Sequence, residues 1–171
     1  MQIVIAGASG FLGTALGRHL SGAGHDVVRL VRGEPTGPDQ VRWDPANGQL
    51  DPGSLANADT VINLGGAPIG HWPWTSGYKQ KILDSRRETT GTIASTIAGL
   101  DHPPALVNAS GINYFGMDRG DEQVDEDSTS GSGFLANVCR QWEAATQPAA
   151  DAGARVALAR TSPVLDGSDG T

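Results

Sequence analysis

Three glycines, Gly7, Gly10 and Gly13, recur at steps of three within Gly7-Ala8-Ser9-Gly10-Phe11-Leu12-Gly13, directly after a short β-branched run. Between a strand and a helix such a triplet can do specific chemistry. The first glycine permits a tight turn, the second lets backbone approach a pyrophosphate, and the third lets helix pack on sheet. The anion then rests on free N–H groups at the positive end of the helix. The triplet alone also fits an ordinary strand–helix turn; its place after the first strand of an alternating chain points to a dinucleotide. It is not the P-loop of a nucleotide hydrolase, because Thr14 follows Gly13 with no lysine between them. Arg32 stands nineteen residues past Gly13, at the end of the second expected strand. An acid near this point takes the ribose 2′-hydroxyl of NAD, whereas an arginine accommodates the 2′-phosphate of NADP. Arg32 therefore favours NADP, with Glu34 close enough to argue for NAD and a solvated surface arginine as the plain alternative. Arg29, three positions earlier, should face the opposite side of the strand.

These residues need a frame, and the hydrophobic pattern supplies one. Gln2 to Ala6 reads as a buried strand, and Leu12, Ala15, Leu16 and Leu20 as a helix stopped by Gly22 and Gly24. Asp26 to Val31 is a second strand, Gly33 to Gln40 a loop, Val41 to Trp43 a brief third strand and Asp44 to Gly48 a turn. Thr60 to Leu64 is a fourth strand, apolar enough to be buried on both faces. Thr75 caps a long helix carrying Ile82, Ile93 and Ile97 and ending near Gly99. Ala105 to Ala109 is a fifth strand. Phe134, Val138, Trp142, Ala145 and Ala149 line one face of a further helix that Pro148 should kink or end. Arg155 to Ala159 is a sixth strand. Alternation of this kind predicts an α/β fold, a doubly wound parallel sheet with helices on both faces.

At 171 residues the chain is one domain, or one domain and a fragment of a second, and its 38% hydrophobic and 18% charged composition is that of a globular protein. Nineteen acids against twelve bases, a net charge of −7, argue against nucleic acid and anionic membranes as partners. Cys139 is a lone cysteine and four scattered histidines give no zinc spacing, so no metal is expected. With no long apolar run and no basic leader, the expected compartment is the cytoplasm.

The glycine loop, together with Asp59-Thr60-Val61-Ile62-Asn63-Leu64-Gly65-Gly66-Ala67, resembles the nucleotide-binding half of an extended short-chain dehydrogenase/reductase. Trp43-Asp44-Pro45, Asp84-Ser85-Arg86, Ala109-Ser110-Gly111-Ile112-Asn113-Tyr114-Phe115-Gly116, the run Phe134 to Glu143 and Leu158-Ala159-Arg160-Thr161 narrow the likeness. It is to the atypical branch of epimerase-family proteins, also called family oxidoreductases or nucleoside-diphosphate-sugar epimerases. The resemblance implies a Rossmann fold. It implies that Gly7, Ser9, Gly10, Phe11, Leu12 and Gly13 hold the pyrophosphate and Arg32 the adenosine phosphate. It further implies that Gly65, Gly66 and Ala67 line the nicotinamide-side ribose and that Ser110 is the catalytic serine.

Productive members of the wider group add a tyrosine acid/base with a lysine one helical turn on, since a phenol near pKa 10 needs a nearby cation to act at neutral pH. In the register set by Glu143 those positions hold Leu135 and Cys139. Tyr114, four residues past Ser110, is the substitute acid on one reading and a packing residue on the other. Cys139 reads as a buried, inert thiol or as a nucleophile. His71-Trp72-Pro73-Trp74 either lies over the nicotinamide or packs on itself. Arg86 and Glu88 are pocket residues or helix-surface charges, and the acidic stretch Asp118 to Asp127 is a solvated loop by default. The expected function is that of an NADP-binding oxidoreductase or epimerase-like enzyme acting on a small molecule. The alternative is a non-catalytic dinucleotide-binding sensor or interaction module. Relatives continue into a smaller substrate domain, so residues 1–171 are expected to be the dinucleotide-binding part, ending in the polar run Asp166 to Thr171. The open sheet edge at the sixth strand is then a site for self-association.

Overall fold

The computed structural model describes residues 1–164; the run Asp166 to Thr171 lies outside them. Its core is a six-stranded, wholly parallel sheet. The strands are β1 (Gln2–Ala6), β2 (Asp26–Val31), β3 (Gln40–Arg42), β4 (Thr60–Asn63), β5 (Ala105–Gly111) and β6 (Val156–Thr161). They lie in the order β3-β2-β1-β4-β5-β6, so the chain winds outward from β1 in one direction and then, from β4, in the other. The helices are α1 (Phe11–Gly22), α2 (Ser76–Ala98), α3 (Phe134–Ala144) and α4 (Gln147–Asp151). Right-handed crossovers in opposite directions put α1 on one face of the sheet and α2, α3 and α4 on the other. This is the Rossmann arrangement, in which the order reverses between β1 and β4.

The larger core lies under α2. Val4, Ala6, Leu30, Val61 and Leu106 project from the sheet onto Ile93, Ala94, Ile97 and Ala149. Alternation turns Ile3 and Ile5 to the other face, and they too are buried. Thr75 begins α2 as expected, its side-chain oxygen accepting from the Tyr78 amide, and Gly99 ends it.

Several boundaries differ from the sequence reading. β5 runs two residues further, to Gly111, because Ser110 and Gly111 continue the ladder with Arg160 and Thr161 of β6. β3 begins one residue earlier, at Gln40. β4 is not buried on both faces: Val61 and Asn63 are, whereas Thr60 and Ile62 are half-exposed. The apolar stripe from Phe134 to Ala149 spans two helices rather than one kinked helix. Pro148 stands in the first turn of α4, where its missing N–H costs nothing. No helix among the described residues is long and apolar enough to cross a membrane.

Candidate functional site

The glycine loop shows why it needs glycine. Gly7 has φ +80°, and a Cβ there would lie 2.8 Å from the backbone carbon of Leu64, so β1 and β4 close together at their ends. A Cβ on Gly13 would sit 2.2 Å from the Gly7 carbonyl oxygen, which no side chain tolerates. Gly10 is the N-cap of α1 and offers no side-chain cap. Its amide donates to Gly7 at 3.0 Å and its carbonyl accepts from Thr14 at 2.8 Å. The amides of Phe11, Leu12 and Gly13 precede that first helical bond and are left without intrahelical acceptors. The first turn carries no acid. Ser9, Phe11 and Leu12 are exposed around this helix end, which makes it a cradle for an anion.

Arg32 lies just beyond β2 and is exposed. Glu34, the acid that argued for the unphosphorylated coenzyme, is ion-paired with Arg42 at the end of β3. Arg29 pairs with Asp39 at 2.5 Å. The carboxylate closest in sequence to Arg32 is thus matched by a different arginine.

The segment Gly65-Gly66-Ala67 leaves the end of β4 under tight control. The Gly65 amide donates to Asn63 Oδ1 at 3.0 Å, and the Ala67 amide to Ser85 Oγ at 2.9 Å. Asn63 is wholly buried and is held by Nδ2 bonds to Thr90 Oγ1 (2.8 Å) and Asn108 Oδ1 (2.7 Å). Thr90 donates to the same Asn108 oxygen at 3.0 Å, and Asn108 Nδ2 donates to the Ala109 carbonyl at 2.8 Å. This satisfied network joins β4, β5 and α2 beneath the loop.

At the end of β5, Ser110 is buried and its hydroxyl donates to Glu143 Oε1 of α3 at 2.6 Å. Arg160 of β6 grips the same carboxylate with two nitrogens, Nε to Oε1 at 2.8 Å and Nη2 to Oε2 at 2.9 Å. The carboxylate in turn raises the pKa of the guanidinium. Arg160 also stacks on Tyr114, 3.6 Å from the ring centroid, and donates to the Glu126 carbonyl at 3.1 Å. Tyr114 itself sits in the single turn Ile112–Phe115 that follows β5. Ser110 and Tyr114, four residues apart, are therefore linked through Glu143 and Arg160.

Glu143 is legible in the sequence only as a register marker, and Arg160 only as a member of the segment Leu158 to Thr161 that carries the resemblance. The available signal was weak: an acid beside Trp142 on an apolar stripe and an arginine late in an apolar strand. Cys139 is buried between α3 and β5; burial pushes its thiol above the ordinary range, with bonds to Gly111 and Ser110 opposing. That fits the inert reading. Leu135 is half-buried. Tyr78 donates its hydroxyl to the Pro68 carbonyl at 2.7 Å, Lys81 lies 6.0 Å from its ring centroid, and Lys79 lies over Phe134.

The His71–Trp74 loop packs largely on its neighbours: His71 against Tyr78, Trp74 edge-on to Phe134 with its indole N–H on the Ile69 carbonyl. Trp72 is 79% exposed, and His71 and Pro73 are exposed as well. The acidic stretch is a loop tied to itself by Arg119, which holds Glu122 and the Thr129 carbonyl. Glu88 is exposed whereas Arg86 is buried.

A family model described as "NAD dependent epimerase/dehydratase family" matches residues 3–141. Over 168 residues the chain is 41% identical to epimerase family protein Mb2239 of Mycobacterium bovis, covering 98% of this chain and 55% of that protein. Among solved structures, the nucleoside-diphosphate sugar epimerase of Corynebacterium glutamicum superposes with a TM-score of 0.85 at 38% identity. The match covers 99% of this chain and 35% of that one. Human epimerase family protein SDR39U1 (isoform2), solved with NADPH, gives a TM-score of 0.83 at 31% identity, covering 99% and 56%. The chain spans about half the length of the relatives it matches.

Proposed function

The chain belongs to the NAD dependent epimerase/dehydratase family, and from that premise we propose that it binds NADP(H) across the C-terminal ends of its strands. Residues 1–171 are then the dinucleotide-binding part of an oxidoreductase or epimerase-like enzyme with a small-molecule substrate. The observation that carries this reading is the cradle at the start of α1, where a Cβ on Gly13 would collide with the Gly7 carbonyl and three amides lack acceptors. Gly7, Ser9, Gly10, Phe11, Leu12 and Gly13 hold the pyrophosphate, and Gly65, Gly66 and Ala67 line the nicotinamide-side ribose. Arg32 takes the 2′-phosphate. Supporting the phosphorylated coenzyme are the pairing of Glu34 with Arg42 and the NADPH in the human relative's structure.

When bound, the coenzyme supplies or accepts a hydride. Ser110 and Tyr114 are the candidate catalytic residues. Ser110, whose hydroxyl hydrogen is donated to Glu143, meets a substrate hydroxyl as an acceptor, and Tyr114 or water carries the proton. Arg160 and Glu143 hold both in place. A second reading, a non-catalytic dinucleotide-binding module, is favoured by one observation: the positions of the usual acid/base pair hold half-buried Leu135 and buried Cys139. Transfer of label from NADPH to a panel of carbonyl compounds separates the two.

The test of the shared premise is a calorimetric titration of the full-length protein with NADPH and with NADH. Tighter binding of NADPH is expected. No heat and no thermal shift with either would falsify it. The outer edge of β6 has no strand partner among the described residues, and Ala157 and Leu158 beside it are exposed. This supports contact of that edge with a second copy of the chain.

A further inference from the structure

The contact between α2 and α3 contains a cation that the reading above leaves unused. Arg86 is 9% exposed, and its guanidinium carbon lies 4.8 Å from the ring centroid of Trp142. On its other side is the loop after β4: a Cβ added to Gly66 would come within 3.1 Å of that same carbon. Nη1 donates to the carbonyls of Ala67 and Ile82, both at 3.0 Å. Nε and Nη2 make no hydrogen bond to the described residues, yet they are not among the sealed polar atoms, so they keep some accessible surface.

No carboxylate of the described residues lies within 4.0 Å of Arg86, whereas Arg29, Arg42, Arg119 and Arg160 each have one. Charged groups out of contact with water are ordinarily paired, because an unpaired one keeps its full desolvation cost. Two carbonyl dipoles and an aromatic face soften that cost without supplying a negative charge. Neighbouring Cys139 supplies no matching charge, since burial raises the pKa of its thiol. A second unmatched donor lies in the same contact: Trp142 Nε1 is buried with no acceptor. Cys139 links this place to the end of β5, since its sulfur lies 3.8 Å from where a Cβ on Gly111 would stand.

We propose that Arg86 is the anchor for an anionic group of the substrate, a carboxylate or a phosphate, bound at its Nε–Nη2 edge. The substrate of this site is then an anion, with its reacting oxygen toward Ser110. A guanidinium edge with two parallel donors fits either group in a bidentate manner. The proposal rests on the reading that the pocket beyond β4 and β5 receives the substrate.

The experiment uses the full-length protein, saturated with NADPH, at constant ionic strength. Its thermal stability is followed against acetate and inorganic phosphate, with acetamide as the neutral isostere. Acetate or phosphate, and not acetamide, should raise the melting temperature of the wild type in a saturable way. Phosphate alone, acetate alone or both tells which anion the edge accepts. Arg86→Gln keeps a donor for the Ala67 carbonyl but removes the charge, and should weaken the anion by about tenfold or more; Arg86→Lys should retain part of the response. A response to neither acetate nor phosphate beyond that to acetamide, or an undiminished anion response in Arg86→Gln, overturns the proposal. Should both variants fail to fold, the wild type's comparison of the two anions with acetamide still decides it. Failure of NADPH itself to bind would strike the coenzyme reading instead, and the anion titration can then be run on the protein alone.

Discussion

Ser110 Oγ donates to Glu143 Oε1 across 2.6 Å, from the end of one strand to a helix on the face beside it. The serine that would meet a substrate has therefore already directed its hydrogen, toward a carboxylate oxygen that Arg160 Nε also grips at 2.8 Å. Replacing Glu143 by Gln leaves the Arg160 guanidinium without its counter-charge in a largely buried setting. Chemical denaturation should show a loss of about 3 kcal/mol. A loss no larger than that of an exposed-pair variant such as Glu122→Gln would refute the structural weight given to the pair.

Gly13→Ala and Gly17→Ala form an internal control on one helix. At Gly13 the new methyl meets the Gly7 carbonyl oxygen at 2.2 Å, while at Gly17 nothing lies within 4 Å. The first variant should lose about 1–3 kcal/mol and bind coenzyme poorly. The second should gain about 0.5–1 kcal/mol, because alanine costs the unfolded chain less freedom than glycine. Urea melts and coenzyme titration of both variants check the contrast.

Arg32→Ala should weaken NADPH by about tenfold to a hundredfold, the size of one charged hydrogen-bonded contact, and leave NADH nearly unchanged. Because Glu34 is committed to Arg42, Glu34→Gln should shift the preference much less. Equal losses for both coenzymes in Arg32→Ala would remove this residue from the phosphate site.

Cys139 should be slow to alkylate in the native state. Burial raises its pKa above the ordinary 9.0, so the native fold favours the protonated thiol. The sign follows: this preference costs nothing while the pH is below the unfolded thiol's pKa, and stability falls as pH rises from there through the folded value. Iodoacetamide at pH 8.5 should label the urea-unfolded chain at least about tenfold faster than the native one. Matching rates would mean that the thiol is exposed.

Sedimentation velocity over a range of concentrations tests the proposed contact at the edge of β6, which has no strand partner among the described residues. Reversible association is expected, and weakening of it by Leu158→Lys, which places a charge on an exposed position of that strand. A concentration-independent monomer would exclude the edge as a contact.

The parts of the site that were readable in the chain are those whose causes are local. Gly7, Gly10 and Gly13 announce a turn because spacing alone sets that geometry, and Thr75 and Gly99 mark their helix ends by cap chemistry. Pro148 is ambiguous in the sequence because proline kinks or ends one helix or opens the next, and only the observed break before Gln147 shows that it opens α4. Arg86 was ambiguous for a related reason. The buried side of α2 carries Thr89, Thr90 and Thr92 among its isoleucines, so polarity does not tell which charged residues of that helix point inward.

By itself the sequence determined the alternation of strands and helices, the parallel sheet it must form and the anion-binding turn after β1. Each of these is set by neighbours within a helical turn or a strand's length. Only the tertiary structure decided that Ser110, Glu143 and Arg160 share one hydrogen-bonded cluster, that Glu34 belongs to Arg42, and that Arg86 is buried without a carboxylate. Those relationships join residues from different elements, and their partners are chosen by strand order and helix crossover, which no local spacing encodes.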